Sequence, residues 1–98
     1  MTVTLLMNVK EGLAEEFVSG LPALIRETSS SPGARSVPSF RNGESANAIL
    51  SIEEWESEEA FRKYITWRTE RGDMERLGQM MSLPPEIATW STATRALS

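Results

Sequence analysis

The sequence predicts a single α+β domain in which an antiparallel β-sheet carries helices on one face only. Two observations predict this class. Segments in which apolar side chains recur every second residue alternate with segments in which they recur every third or fourth residue. Short stretches rich in glycine, proline and serine separate these segments, and no repeat, linker or low-complexity stretch divides the chain. We therefore expect residues 1–98 to form one domain.

The first predicted strand covers residues 2–9. Val3, Leu5, Met7 and Val9 share one face of this strand. The other face is also fairly apolar, so we expect both faces of the strand to be covered.

The next segments predict a helix and a second strand. Apolar side chains recur at helical spacing over residues 13–28. Pro22 has no N–H to donate to the carbonyl of Val18, so we expect the helix to kink or break there. Residues 34–41 predict a short strand, in which Pro38 indicates an edge position or a bulge.

Several candidate site residues lie on a predicted strand that passes directly into a helix. Residues 47–55 alternate, which places Ser51, Glu53 and Trp55 on one face. Ser57 is predicted to be the N-cap of the helix that follows. Trp55 therefore lies at a junction between two layers, where its side chain could line a cleft.

The last third of the chain completes the predicted fold. The helix should end at Gly72, Asp73 should cap a second helix over residues 74–81, and residues 86–95 should form the last strand. The order β-α-β-β-α-α-β indicates a ferredoxin-like, split βαβ fold with a four-stranded antiparallel sheet. Because Leu6 makes the second face of the sheet apolar, we expect two copies to pair through it.

Composition excludes several classes of function. The 98-residue chain has no cysteine and no histidine, which excludes disulfides, cysteine nucleophiles, Ser-His triads and most zinc and haem sites. Its net charge of −4 disfavours binding to nucleic acid or to an anionic membrane surface. No apolar run approaches the roughly 20 residues of a membrane span, and the N-terminus does not resemble a signal peptide. We therefore predict a cytoplasmic protein.

Three runs of sequence resemble one known family. They are EEWESEEAFRKYI at 53–65, PGARSVPSFRN at 32–42 and ITWRTERGDMERLGQMMSLPP at 65–85. Together they resemble the antibiotic-biosynthesis monooxygenase family of the dimeric α+β barrel superfamily. The resemblance implies a homodimer whose two sheets form a barrel, with a pocket for a small aromatic hydrophobic substrate in each subunit. It also implies that a polyketide-like phenol is oxidised to a quinone by dioxygen, without flavin, haem, metal or another cofactor.

The resemblance makes Trp55, Ser51, Arg76 and Tyr64 the candidate catalytic residues. Trp55 matches the family tryptophan, and Arg76 lies near the family arginine. Ser51 stands where the actinorhodin-type monooxygenase has an asparagine, and a serine can still donate a hydrogen bond. Phe61 stands where that enzyme has a tyrosine and cannot relay a proton. Tyr64, one turn further along the helix, is either the replacement phenolic donor or a packing residue.

Five further residues are candidate substrate-binding residues: Asn8, Glu53, Phe61, Trp67 and Trp90. Asn8 could equally satisfy the end of a strand, and Trp90 could pack against a helix or a partner subunit. Arg76 could hold an anionic phenolate by charge-assisted hydrogen bonds, or lie on a solvated helix face.

Three functions stay open on this sequence. The first is a cofactor-independent monooxygenase that oxidises a polycyclic aromatic phenol or quinol to a quinone. The second is a non-oxidative polyketide cyclase or isomerase, or a protein that binds a hydrophobic metabolite, and the phenylalanine at position 61 favours it. The third is a structural dimerisation module, which a cavity filled with side chains would favour.

Overall fold

The structure is a computed structural model that describes residues 1–94. This part of the chain contains five strands and three helices. In chain order they are β1 (Thr2–Asn8), α1 (Ala14–Ser29), β2 (Ala34–Ser36), β3 (Ser39–Arg41), β4 (Ala48–Trp55), α2 (Glu58–Glu70), α3 (Asp73–Gln79) and β5 (Glu86–Trp90). The predicted ferredoxin-like α+β fold is confirmed.

The sheet is antiparallel throughout and has β1 and β4 at its centre. Its order is β2-β4-β1-β5, and β3 pairs with the same strand as β2. Leu5 lies between Ser51 of β4 and Ile87 of β5, which fixes the register across three strands. Both edges of the sheet are short strands, which limits open edge pairing.

The predicted strand over residues 34–41 is divided into β2 and β3. The break falls at Val37 and Pro38, whereas the register against β4 shifts earlier, between Ala34 and Ser36. Pro38 has no N–H for the ladder, but its carbonyl accepts a hydrogen bond of 3.0 Å from the backbone of Ile52. The predicted edge position is present, but the irregularity in register lies within β2 and not at Pro38.

Helix α1 is not broken at Pro22, so of the predicted kink or break the break is absent. The helix runs without interruption from Ala14 to Ser29. Pro22 lies on its exposed side. Water can therefore satisfy the carbonyl that lacks a proline donor, and packing on the other side holds the helix together.

The helix over residues 58–70 begins as predicted. The hydroxyl oxygen of Ser57 accepts a hydrogen bond of 3.1 Å from the backbone of Ala60, so Ser57 is the N-cap of α2. The prediction that Asp73 caps α3 is wrong. Gly72, with φ of +80°, occupies the cap position and Asp73 is the first helical residue. Its carboxylate instead accepts hydrogen bonds from arginines.

Strand β5 ends at Trp90, earlier than the predicted residue 95, which lies outside the described residues. The cause is β1, with which β5 pairs among the strands of residues 1–94. Trp90 pairs with Thr2, the first residue of β1, so no strand remains beyond that point to accept further pairing.

Two apolar clusters fill the space between the sheet and the helices. One contains Met7, Val9, Phe17, Ile49 and Met81, and the other contains Val3, Trp55 and Phe61. Their strand residues all belong to one face of the sheet, so the helices cover that face alone. On the opposite face, Phe40 is 52% exposed and Trp90 is 56% exposed. None of the helices in the described chain is long and apolar enough to cross a membrane.

Candidate active-site cavity

A cavity of about 610 Å³ lies between the covered face of the sheet and the three helices. Its size falls within the range of roughly 300–1,000 Å³ that is usual for small-molecule sites. The walls are mostly apolar. The sheet contributes Val3, Leu5 and Met7, and the helices contribute Phe17, Leu21 and Ile65 among others. Side chains leave this space open, so the cavity can admit a small hydrophobic molecule.

The cavity opens between α1, α3 and β5. Among the residues that line it, Glu16, Gly20 and Leu24 of α1 are exposed, as are Arg76 of α3 and Ile87 of β5. These residues form what we call the mouth. A ligand entering there first meets one carboxylate, one guanidinium and apolar surface.

Glu53 places a buried carboxyl on the sheet side of the cavity. The residue is 6% exposed, and its Oε1 accepts a hydrogen bond of 2.9 Å from Nε1 of Trp55. Burial raises the pKa of Glu53, and the hydrogen bond from Trp55 and the positive charge of Arg68 offset this increase only in part. A carboxyl in such surroundings holds its proton more tightly than one in water.

Trp55 lies behind the cavity wall and does not line it. It is 1% exposed. Its ring packs against Phe61 and Tyr64, with centroids 5.6 Å and 4.9 Å away. Its N–H points to Glu53, so any effect of Trp55 on a bound molecule passes through these neighbours.

A pair of hydroxyls lies beside Glu53 on the sheet. The Oγ atoms of Ser39 and Ser51 are 2.8 Å apart. Ser51 and Glu53 are two residues apart on one strand face, a separation of about 7 Å along the strand. Of two paired hydroxyls, one can donate to the other and leave its partner free to donate to a ligand oxygen.

Arg68 joins all three helices at the helix side of the cavity. It is 4% exposed. Its Nε donates to the phenolic oxygen of Tyr64 at 2.8 Å, and its Nη2 donates to the Oγ1 of Thr28 at 3.2 Å. Its Nη1 donates to Glu27 at 3.2 Å and to Asp73 at 2.9 Å. The guanidinium is thus held by partners on α1, α2 and α3.

The pKa values in this network keep its charges in place. Burial lowers the pKa of Arg68, but hydrogen bonds to Asp73 and Tyr64 outweigh that effect and leave it above the usual arginine value. Burial raises the pKa of Asp73, but hydrogen bonds from Arg68 and Arg76 outweigh that effect and leave it below the usual value. Both groups therefore stay ionised at neutral pH.

The structure brings five of the predicted site residues to one cavity: Ser51, Glu53, Phe61, Tyr64 and Arg76. Arg76 is at the mouth, with 63% of its side chain exposed and hydrogen bonds to Asp73 and to the carbonyl of Arg71. The hydroxyl of Tyr64 is engaged by Thr28 and Arg68.

The other three predicted binding residues, Asn8, Trp67 and Trp90, do not line this cavity. Asn8 shares the uncovered sheet face with Thr4, because side chains alternate along β1. Trp90 lies on that same face, where its Nε1 donates to the Oγ1 of Thr4 at 2.8 Å. Trp67 lies on the outer side of α2, and the guanidinium of Arg71 stacks 4.5 Å from its ring centroid.

The sequence analysis missed the central position of Arg68. A signal was present, since Arg68 follows Phe61 by seven residues and Tyr64 by four, which places it on the apolar stripe of α2. An arginine at such a position needs buried partners, and it has them in Thr28 and Asp73. Thr28 and Asp73 belong to other helices, so the residue spacing within α2 did not predict them.

Chemically, the cavity combines an apolar chamber with few polar groups. The buried carboxyl of Glu53 can exchange a proton, and the hydroxyl of Ser51 can orient a ligand oxygen. Arg76 can attract an anion at the mouth. Across residues 1–94, no three acidic side chains are arranged to hold a metal ion.

A model of the antibiotic biosynthesis monooxygenase family matches residues 1–66. The chain belongs to this family. The match covers β1 to most of α2, and hence the sheet side of the cavity with Ser51, Glu53 and Trp55. No curated protein matches this sequence significantly.

Solved structures show the same fold as this family member. A variant of SnoaB, a cofactor-independent oxygenase from Streptomyces nogalater, is 18% identical, with a TM-score of 0.81 over 96% of this chain and 93% of its own. A conserved protein from Methanosarcina mazei is 22% identical, with a TM-score of 0.78 over 89% of this chain and 86% of its own. A further antibiotic biosynthesis monooxygenase is 12% identical, with a TM-score of 0.83 over 95% and 98%. At these identities the likeness establishes the shared fold alone.

Proposed function

We propose that this protein is a cofactor-independent monooxygenase that oxidises a polycyclic aromatic phenol or quinol to a quinone. The observation that carries the proposal is the open, mainly apolar cavity, which brings Ser51, Glu53, Phe61, Tyr64 and Arg76 together in a member of the monooxygenase family. SnoaB, which shares the fold, is described as a cofactor-independent oxygenase.

The chemistry asks little of the protein beyond binding, orientation and proton transfer. Loss of a proton converts the substrate to an electron-rich phenolate or carbanion. This anion can pass an electron to dioxygen by itself. Apolar walls such as Phe17, Leu21 and Phe61 would exclude water from the flat substrate. Ser51 would donate a hydrogen bond to a substrate oxygen, and Arg76 would attract the anionic form at the mouth.

The functional unit of this proposal is a homodimer. The sheet face opposite the cavity is apolar across three strands, and Phe40, Leu50 and Leu6 lie in one row of the register. An uncovered face of this kind commonly marks an interface between copies. A second sheet placed there would complete the barrel that the family resemblance implies. The cytoplasmic location stays a prediction.

A second candidate function is non-oxidative cyclisation, isomerisation or binding of a hydrophobic metabolite. Two observations favour it. Phe61 lines the cavity without any group that can carry a proton, and the hydroxyl of Tyr64 is already engaged by Thr28 and Arg68. Proton transfer alone would serve such a reaction, and dioxygen would not be consumed.

Oxygen uptake with 1,8-dihydroxyanthrone tests the proposal. We expect the purified protein to accelerate uptake above the spontaneous rate and to form the quinone. Gly20→Trp should abolish the acceleration, because Gly20 lies at the mouth and nothing lies within 4 Å of the position of an added Cβ.

Gly20→Ala is the matched control, since it leaves the mouth open and should retain the rate. Binding of the anthrone without any oxygen uptake would contradict the monooxygenase and favour the second candidate. Equal rates in the alanine and tryptophan variants would contradict the cavity as the site.

A further inference from the structure

Glu53 differs from every other titratable group that faces the cavity. Those groups are Glu16 from α1, Tyr64 and Arg68 from α2, and Asp73 and Arg76 from α3. Arg68 donates hydrogen bonds to Tyr64 and Asp73, and Arg76 donates one to Asp73, so neither Tyr64 nor Asp73 is a free base. Glu16 is exposed at the mouth, where water hydrates its carboxylate.

Glu53, in contrast, is buried and has one oxygen uncommitted. Its Oε1 accepts the hydrogen bond from Trp55, and none of residues 1–94 donates to its Oε2. Every side-chain oxygen or nitrogen atom of residues 1–94 that is fully shielded has a hydrogen-bond partner. Oε2 has no such partner, so it is not fully shielded, and it faces the open space of the cavity that Glu53 lines. No cation within the described chain forms an ion pair with this carboxyl.

We infer that Glu53 is the catalytic base of the cavity and that Trp55 is its positioning residue. The inference rests on the proposed function, and it concerns the proton-transfer step of that function. Oε2 would take a proton from an acidic C–H or O–H bond of the aromatic substrate, while the indole N–H fixes Oε1 and the orientation of the carboxyl. Burial raises the pKa of Glu53, which makes it a stronger base than a carboxylate in water.

The proton balance of an anthrone-type oxidation shows what Glu53 would do. A methylene C–H bond breaks, the proton goes to Oε2 and the electron pair stays on carbon. The carbanion gives one electron to dioxygen, and the radical and superoxide combine to form a C–O bond. The Glu53 carboxyl then returns its proton to the peroxide. Loss of the second methylene proton breaks the O–O bond, forms the ketone and releases hydroxide, which that proton converts to water.

The first step can be measured without dioxygen. In anaerobic D2O, wild-type protein should accelerate exchange of the methylene hydrogens of 1,8-dihydroxyanthrone, followed by NMR. Glu53→Gln should reduce that acceleration about 100-fold or more, because the amide keeps the hydrogen bond from Trp55 but cannot take a proton. Glu53→Asp should restore part of the rate. Glu54→Gln, on the opposite face of β4, should leave the rate unchanged.

The outcomes separate this inference from the proposed function. If Glu53→Gln binds the anthrone and still exchanges at the wild-type rate, the assignment of Glu53 is overturned, although oxygen uptake could stand. If exchange depends on Glu53 but oxygen is not consumed, the assignment is supported and the monooxygenase is contradicted.

A titration of the protein alone decides the case in which the anthrone does not bind. Infrared difference spectra between wild type and Glu53→Gln should show a carboxyl that titrates above the ordinary value of 4.5. A carboxyl that titrates at or below that value would overturn the inference. Failure of the anthrone to bind would count against the proposed substrate instead.

Discussion

At the scale of the residue, Glu53 is stabilised in its protonated form by the fold. Because burial raises its pKa, the folded chain binds a proton more tightly than the unfolded chain. The free energy of unfolding therefore falls as pH rises from about 4.5 through the raised pKa, and it stays lower above that point. A buried base of this kind reduces stability at neutral pH, as functional groups often do.

Glu53→Gln should consequently be more stable than wild type at neutral pH. Glutamine keeps an oxygen that can accept from Trp55, and it carries no charge to desolvate. The advantage should shrink as pH falls and vanish well below 4.5, where Glu53 is protonated in both states. Urea unfolding at several pH values measures it. A difference between wild type and Glu53→Gln that stays constant across pH would contradict the raised pKa of Glu53.

Trp55→Phe tests the positioning role by its effect on pH dependence. The hydrogen bond from the indole lowers the pKa of Glu53, so its removal should raise that pKa further. The rise of kcat/KM with pH, measured on 1,8-dihydroxyanthrone, should move to higher pH. The same change at Trp67, which lies outside the cavity, is the control. A lower rate with an unmoved profile would indicate that Trp55 only supports packing.

At the scale of the element, the helices are tied together by one buried arginine. The guanidinium of Arg68 bridges Thr28 of α1, Tyr64 of its own helix and Asp73 of α3. We therefore expect the position of α1 over the sheet, and with it the shape of the cavity, to depend on this arginine.

Arg68→Met should destabilise the protein by about 3–5 kcal/mol, the usual effect of removing one partner of a buried ion pair. Arg71→Met is the matched control. The side chain of Arg71 is 42% exposed, and its ion pair with Glu27 at 3.0 Å is hydrated, so its loss should change stability far less. Urea unfolding measures both variants. If both variants lost the same free energy of unfolding, burial would not make the ion pairs of Arg68 stronger than the exposed pair of Arg71.

Local signals in the sequence predicted most elements, and distant partners account for the misses. The alternation before Trp55 and the cap at Ser57 depend on neighbouring residues, and both are present in the fold. The end of β5 depends on where β1 begins, which no property of β5 encodes. Two partners of Arg68, Thr28 and Asp73, belong to other helices, so the sequence of α2 could not identify them.

The site residues on β4 could be predicted because side chains alternate between the two faces of a strand, which we call strand parity. Ser51 and Glu53 share a face with Trp55, and the first two line the cavity as parity suggests. Parity could not show that Phe61 and Tyr64 would cover Trp55 and keep it from the cavity. It could have excluded Asn8, which alternates with the covered residues of β1.

At the scale of the whole molecule, the two faces of the sheet are unequal. One face carries three helices and the cavity, while the other is bare and has an apolar row across three strands, with Phe40 and Trp90 more than half exposed. Leu50 lies between Leu6 and Phe40 near the middle of that bare face. A second copy that paired there would remove this surface from water and would leave both cavities on the outside of the dimer.

Leu50→Glu should therefore convert the proposed dimer to a monomer. The added carboxylate would be buried in the apolar centre of the interface, at a cost of several kcal/mol, but it would be hydrated in the free subunit. Light scattering at micromolar concentration should give a dimer mass for wild type and a monomer mass for the variant. Ala23→Glu adds the same charge on the exposed side of α1 and should leave the dimer intact. A wild-type monomer would contradict the pairing, and a dimeric Leu50→Glu variant would place the interface elsewhere.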